Sequence, residues 1–330
     1  MPVSTRSLKR KLDDDDDGET KSSHKATSRI QAPTTTSKKQ DKEHHRIVCG
    51  TSGYSYSHWN NGVFYPRGYS TRQWEYYTSQ FHAVELNATF YRWHKPEAWL
   101  SWRDKAHKVS SSSSNDNHPF IYAVKAHQYF SHWRQLNVDD SFVAKFKDFV
   151  NDCRKLGPHF GPMLLQFPSR FQCTETTLDR LRQFGELVRS INQRTSGEEP
   201  PLRVALEFRH HSWFDNNVVM SIAKEYDLCI CLLHLVNKNP PKWADNMTSG
   251  FSPRLEDYPF DNTSWGVYAR LHGTSGQYEG SYSNVLLEEF LEKCKPVTPN
   301  VFIFFNNTDA GNPPSAVRDA MHICQVSKSS

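Results

Sequence analysis

No stretch of this 330-residue chain approaches the roughly 20 consecutive apolar residues that a membrane-spanning helix needs. Its first residues also lack the apolar core of a secretory signal. A soluble intracellular protein, cytoplasmic or nuclear and without a membrane partner, is the expectation. Cys-x-x-Cys pairs are missing too. The seven cysteines are odd in number and scattered, which argues against both a disulfide framework and a zinc knuckle. Buried thiols are expected instead, with Cys229 and Cys231, two apart on a strand, as packing residues. A strong charge of either sign is absent: 40 Lys and Arg stand against 36 Asp and Glu. Residues 1–46 hold 11 of the basic and 8 of the acidic side chains, a net of +3, so only +1 of the formal +4 falls on the rest. That remainder lacks the concentrated basic face of a tight nucleic-acid binder.

Residues 1–46 are themselves poor in large apolar side chains and pair Lys9-Arg10-Lys11 with an acidic run, Asp13 to Asp17. They cannot bury enough surface to offset the entropy of ordering and are expected to be a disordered charged tail. The basic cluster suits nuclear import, and the aspartates suit a solubilising segment open to partners. From residue 47 the pattern changes, and a short apolar strand recurs every 25 to 42 residues. Ile47-Val48-Cys49, Ala83-Val84, Ile121 to Val124, Met163-Leu164-Leu165, Val204-Ala205-Leu206, Cys229 to Leu233, Val267-Tyr268-Ala269 and Val301 to Phe305 each run into polar residues. Helical periodicity separates them. Phe142, Phe146, Phe149 and Val150 share one face of a segment opened by Asp140-Ser141 and stopped by Gly157-Pro158. Thr174 to Asn192, Asp215 to Tyr226 and Ser283 to Cys294 repeat that rhythm.

Eight strands alternating with helices call for parallel pairing and allow closure. The fold class expected is α/β, a single (β/α)8 TIM-barrel-like domain over residues 47–330 with one polar mouth at the C-terminal strand ends. A doubly wound open sheet is the competing architecture, but Gly50-Thr51-Ser52-Gly53 after the first strand is not its Gly-x-Gly-x-x-Gly turn. The serine run Ser110 to Ser114 and the polar turn Thr195 to Pro201 read as passive surface insertions. The long connection Asn237 to Ser264 is placed to overhang the mouth.

Specific motifs carry a resemblance. Gly50 to Tyr56 with Trp59 and Phe64-Tyr65-Pro66, then Glu85 to Tyr91, resemble the opening of the YecE-like family, domain of unknown function 72. Phe120 to Lys125, Leu164 to Pro168, Glu207 to His210 with Ser212-Trp213-Phe214, Arg270 to Gly273 and Phe305 to Thr308 resemble its later blocks in the same order. The resemblance spans residues 47 to about 323. It implies a (β/α)8-type barrel, extended here by the tail, and no activity. His234 departs from the pattern, which leads one to expect an acidic residue after the sixth strand.

Chemistry is therefore sought at the mouth. Alternation puts Glu85 with Asn87, Glu207 with Arg209, and Arg270 with His272 on common faces. Isolated charges in a barrel interior would cost several kcal/mol, so these groups must pair or bind something. Lys125, Arg209 and Arg270 with the amides of Asn87, Gln166, Asn306 and Asn307 suit a small anionic ligand, carboxylated, phosphorylated or nucleotide-derived. Tyr54, Tyr56, Trp59, Tyr91, Trp213 and Tyr278 could stack on a sugar or base. His272, its cationic form disfavoured by Arg270, is the candidate for proton transfer, with Glu207 and Glu85 as orienting carboxylates or bases.

The leading expectation is an enzyme of acid–base or hydrolytic type, a hydrolase, isomerase or lyase, needing no cofactor. A non-catalytic module for a metabolite or nucleic acid is the first alternative. The second is a metal-dependent hydrolase built from Glu85, Glu207, His234 and His272, against which three cations in one mouth would repel a dication. Glu85 and Glu207 also suggest a glycosidase pair. Nothing in the sequence sets an oligomeric state.

Overall fold

The computed structural model describes residues 46–112, 119–194, 199–214, 217–236, 265–276, 278–298 and 300–329. The expected tail, apart from Arg46, and the connection Asn237 to Ser264 lie outside the described residues. Arg46, assigned to the tail by sequence, opens the first strand. The strands are β1 (Arg46–Ser52), β2 (Ala83–Leu86), β3 (Ile121–Lys125), β4 (Phe160–Gln166) and β5 (Val204–Glu207), then β6 (Leu228–Ile230), β7 (Leu232–His234), β8 (Val267–Leu271) and β9 (Asn300–Phe305).

All pairings are parallel, in the order β6-β5-β4-β3-β2-β1-β9-β8-β7. The two ends of this sheet are halves of one chain segment. Leu228–Ile230 pairs with β5, Cys231 donates its N–H to Leu206 O (2.9 Å), and Leu232–His234 pairs with β8. The continuous strand expected over Cys229 to Leu233 is thus broken at Cys231. Adjacent strands of a barrel are twisted and staggered, and a short strand that serves both β5 and β8 shifts its pairing from one neighbour to the other. The segment closes the (β/α)8 barrel, and its eight expected strands appear as nine pieces.

Alternation along the strands decides what lies inside. Val48, Ala83, Ala123, Leu164, Ala205, Cys231, Tyr268 and Phe304 belong to one buried cluster. Their neighbours Cys49, Val84, Val124, Leu165, Leu206, Ala269 and Phe305 belong to a separate one between strands and helices. Small residues on β2, β3 and β5 leave room within the barrel for the rings of Tyr268, Phe302 and Phe304, as layered interiors require. Cys229 and Cys231 are packing residues in this interior. Two residues further along, the inward positions turn polar: Glu85, Lys125, Gln166, Glu207, Arg270 and Asn306.

The outer layer comprises α1 (Gln73–Gln80), α2 (Ala88–Tyr91), α3 (Pro96–Ser112), α4 (Asp140–Arg154), α5 (Glu175–Gln193), α6 (Asn217–Glu225), α7 (Asn284–Cys294) and α8 (Ser315–Ser329). The periodicity reading locates α4 to α7 and passes over α8, although Ala316, Val317, Ala320 and Ile323 form a buried face there, whereas α1 and α3 lack so clear a stripe. Capping fixes the starts. Asp139, one residue before the expected opening of α4, accepts from Phe142 N at 2.9 Å. Thr174 and Thr177 cap α5 reciprocally, and Ser283 caps α7. The start expected for α6, Asp215, lies outside the described residues. The serine run is not a passive insertion at its start: Ser110 to Ser112 end α3, and Ser110 Oγ accepts from Phe120 N (3.1 Å), tying the helix to the approach of β3. Among the described residues, no helix is long and apolar enough to cross a membrane.

At Gly50 the barrel wall leaves no space for a side chain, since a Cβ there would lie 2.1 Å from Ala83 O in the paired strand. Gly50→Ala is expected to lower stability by about 1–3 kcal/mol, the usual cost of overpacking where backbone must shift. Urea unfolding of the two proteins checks this, and an unchanged midpoint would show that the wall yields freely.

Candidate active site at the barrel mouth

Arg270, near the end of β8, is 1% exposed and reaches across the barrel. Its Nε donates to both Glu85 oxygens (3.2 and 3.0 Å), Nη2 donates to Glu85 Oε1 (2.8 Å) and Ser52 Oγ (3.0 Å), and Nη1 donates to Glu207 Oε2 (2.5 Å). One guanidinium therefore clamps carboxylates from β2 and β5. Tyr268 donates its hydroxyl to Glu85 Oε2 (2.7 Å), and Ser52 donates to Oε1. Arg209, two residues past Glu207, donates Nε to Glu207 Oε1 at 2.6 Å. Glu85 and Glu207 are both fully buried.

The electrostatics follow from this clamp. Burial alone would raise the Glu207 pKa, but Arg270, Arg209, His272 and Lys125 together hold it well below the usual carboxylate range. Burial would lower the Arg270 pKa, and Glu207 and Glu85 more than reverse this, holding it firmly protonated. Lys125, at the end of β3, gains no such partner. Its Nζ makes no hydrogen bond or ion pair among the described residues and lies 4.1 Å above the Phe90 ring. Burial, then the charge of Arg270, lower its pKa to about 7 against the opposing pull of Glu207. The backbone beneath it is fixed, since Thr89 Oγ1 donates to Lys125 O at 2.6 Å.

Above this network opens a cavity of about 490 Å³, lined by Tyr56, Asn87, Phe90, Tyr91, Lys125, His132, Gln166, Arg209, Arg270, Tyr278, Asn306 and Thr308. Most of the residues expected to bind a ligand converge here. Asn87 donates Nδ2 to Ser52 Oγ (2.9 Å), while its buried Oδ1 has no partner among the described residues. Gln166 donates Nε2 to Phe167 O (2.8 Å). Tyr91 is 71% exposed on the rim. Tyr56 folds back over the clamp and donates to Ser52 O, its hydroxyl pKa pushed up to about 12 by burial. That approach needs Gly53, at φ +85°, where a Cβ would sit 2.9 Å from the Tyr56 hydroxyl.

Other expected site residues lie elsewhere. Glu85 and Glu207 are outside the cavity lining, and the suggested glycosidase pair shares one guanidinium instead of flanking a substrate space. His272 is fully buried and is not part of the lining, its ring 5.5 Å from that of Tyr278. Burial and then Arg270 push its pKa well below the ordinary value, so it is held neutral as expected. Its Nδ1 lies 3.4 Å from Arg270 O, and its Nε2 has no hydrogen-bond partner among the described residues. Asn307 faces the opposite way from Asn306 and donates Nδ2 to Gly280 O (2.8 Å) and Asp319 Oδ2 (2.7 Å), binding the β9 end to α8. Tyr54, Trp59 and Trp213 are packing residues: Tyr54 lies against Trp74 (5.3 Å), Trp59 is fully buried, and Trp213 stacks on Phe208 at 4.0 Å. His234, of the metal alternative, pairs Nδ1 with the Tyr282 hydroxyl (2.6 Å). No three His, Cys, Asp or Glu side chains converge as a metal site among the described residues.

Sequence reasoning missed His132, Phe90, Thr308 and the connecting role of Ser52. His132 sits on a π-helical turn, Tyr129–Trp133, just beyond β3. Such turns recur at functional sites. Phe130 anchors this one among Phe142 (5.4 Å) and Phe146 (5.2 Å). Burial, then Lys125, lower the His132 pKa to about 4, leaving a neutral imidazole whose ring lies 4.9 Å from that of Phe90. Its only sequence signal is a histidine in the aromatic run that follows a barrel strand.

These features define a TIM-barrel protein with a cation-rich cavity at the C-terminal mouth. Residues 48–329 match the family described as protein of unknown function DUF72, and the chain belongs to that family. It is similar to a DUF72 family protein from Thermotoga maritima, 22% identical over 86% of this chain and 100% of that one, with a TM-score of 0.64. A DUF72 family protein from Enterococcus faecalis is 16% identical over 86% of this chain and 96% of that one, with a TM-score of 0.62. Both likenesses show the shared fold. No curated protein matches.

Two outcomes are expected from the clamp and the lone amine. Arg270→Ala leaves two buried carboxylates without their main partner and should destabilise the fold by about 3–5 kcal/mol in chemical unfolding; a loss near zero would mean that water replaces the guanidinium. For Lys125 the unfolded chain keeps its proton to the ordinary lysine pKa and the folded chain only to about 7. Stability from this group is therefore lowest below pH 7 and rises above it. Wild type should gain stability relative to Lys125→Met between pH 6 and pH 9, and a pH-independent difference would contradict the assignment.

Proposed function

We propose that the chain is an enzyme that acts on a small anionic molecule, carboxylated, phosphorylated or nucleotide-derived, in the cavity at its C-terminal mouth. One observation carries the reading. Arg270 takes up Glu85 and shares Glu207 with the Nε of Arg209, so among the described residues Lys125, which faces the cavity, has no ion-pair partner and the terminal nitrogens of Arg209 make no hydrogen bond. A charged ligand would complete that set. The cavity volume is typical of small-molecule sites, and the amides of Asn87, Gln166 and Asn306 supply orienting donors and acceptors.

A non-catalytic binding module would use the same cations. What favours an enzyme is Lys125 on the cavity wall, its pKa lowered to about 7 by burial and then Arg270. Groups that exchange protons near working pH are those general acid–base catalysis needs. Glu207, held ionised by four cationic or polar neighbours, is better suited to stabilising positive charge than to moving protons.

A thermal-shift screen of small carboxylates, phosphate esters and nucleotides tests the reading. Ligands that stabilise wild type should bind Arg209→Met and Lys125→Met about 10- to 100-fold more weakly, the worth of one charge-assisted hydrogen bond. Anions that stabilise all three proteins equally would refute a site built on these two side chains.

A further inference from the structure

We infer that Lys125 is a covalent nucleophile, forming an imine with the carbonyl carbon of the substrate, which makes the substrate class a small aldehyde or ketone bearing a carboxylate or phosphate. The inference rests on the reading of the cavity as an anion site and gives that anion a second functional group. Three features of the geometry point to it. Lys125 Nζ faces the cavity from the rigid end of β3 and has no hydrogen-bond or ion-pair partner among the described residues. The carboxylates that would otherwise pair with it are clamped by Arg270. The Phe90 ring, 4.1 Å from Nζ, presents an apolar face beside the amine.

A lysine meant only to hold an anion gains most as a full cation, and this environment works against that charge. Burial and the neighbouring Arg270 lower its pKa to about 7, so a substantial part of the amine is unprotonated at neutral pH. An ordinary lysine keeps on the order of 10⁻³ of its amine free there. Desolvation beside other cations is the recognised way to activate an amine for carbonyl chemistry.

The step balances without a redox partner. The Nζ lone pair adds to the carbonyl carbon, the C=O π pair moves to oxygen, and a proton passes from nitrogen to that oxygen. The carbinolamine hydroxyl takes a second proton from solvent and leaves as water, the nitrogen lone pair forming the C=N bond and giving the iminium. Protonated, that imine is a cation next to the Phe90 face and within the field of Glu207. Arg209 terminal nitrogens and Asn306 are available for the anionic group of the substrate. The neutral His132 imidazole packs on the same Phe90 ring, at 4.9 Å. Its Nδ1 lies 3.0 Å from Ser131 Oγ, and in the tautomer in which Nδ1–H donates to that hydroxyl, Nε2 accepts a proton from the carbon beside the iminium, the C–H electrons flowing into an enamine.

Reductive trapping tests the inference. Full-length protein is incubated at pH 7 with cyanoborohydride and either pyruvate or dihydroxyacetone phosphate, which separate the carboxylate from the phosphate source, and labelled lysines are mapped by peptide mass spectrometry. Lys125 should carry the reduced adduct of one ketone at a level on the order of 100-fold above exposed lysines, following its larger free-amine fraction. The adduct should disappear from that position in Lys125→Arg, whose fold is checked by circular dichroism. Labelling of Lys125 no greater than that of surface lysines, with both ketones, overturns the inference even if the variant does not fold. Parallel calorimetry with lactate and glycerol 3-phosphate, which have the same anionic groups and no carbonyl, separates the two claims. Binding of either without trapping removes the imine and keeps the anion site; no binding and no trapping remove both.

Discussion

The contact on which the mouth of this barrel depends is the Arg270 guanidinium held between Glu85 and Glu207. It links β8 to β2 on one side and to β5 on the other, so a single side chain joins strands that are not neighbours in the sheet. Ser52 extends the link to β1, since its hydroxyl serves Glu85, Arg270 and Asn87 at once. Arg has the planar fork and permanent charge for this; a lysine could satisfy one carboxylate at a time. The small interior residues below, Ala83, Ala123 and Ala205, complement it by making space for the large side chains contributed by β8 and β9.

Protonation at the mouth follows from burial first and from that arrangement second. With the carboxylates spent on Arg270, Lys125 is left among cations and loses its proton easily, His132 remains neutral, and His272, buried next to Arg270, is neutral as well. The sequence shows a balanced set of charges, but the structure distributes them in layers. The anions lie deep and paired, while the unpaired donors face the cavity. A balanced composition thus yields a cavity whose lining holds cations and no carboxylate, and this lining is the basis for proposing it as an anion site.

Much of the fold was legible because it rests on periods of two and of 3.6 residues that hydrophobicity makes visible. The strands and α4 to α7 fall where those periods put them. The interruption at Cys231 was not legible, because Cys229 to Leu233 is uniformly apolar and only barrel closure makes one short strand serve two partners. At the site, the polar residues at strand ends were readable as a group, and their alternation separates Asn306, which lines the cavity, from Asn307, which ties β9 to α8. Which carboxylate would be consumed by which cation depends on the lengths of side chains crossing the barrel, and no local pattern encodes that. His132 was hidden for a related reason: its place at the mouth comes from Phe130 being anchored among the phenylalanines of α4.

The clamp also bears on whether the mouth is built for stability alone. Replacing a buried ion network by apolar side chains of similar volume is often neutral or stabilising, whereas breaking one partner is costly. Below the mouth the barrel shows the apolar solution, with Tyr268 and Phe304 filling the layer beneath Arg270. The same chain could fill the next layer in the same way. It instead holds two carboxylates and a guanidinium there, and next to them a lysine whose charge the surroundings oppose. A structural network would give that lysine a carboxylate or leave it out. Its presence on the wall of a cavity, without an ion-pair partner among the described residues, is the ground for the proposal that this layer serves a ligand.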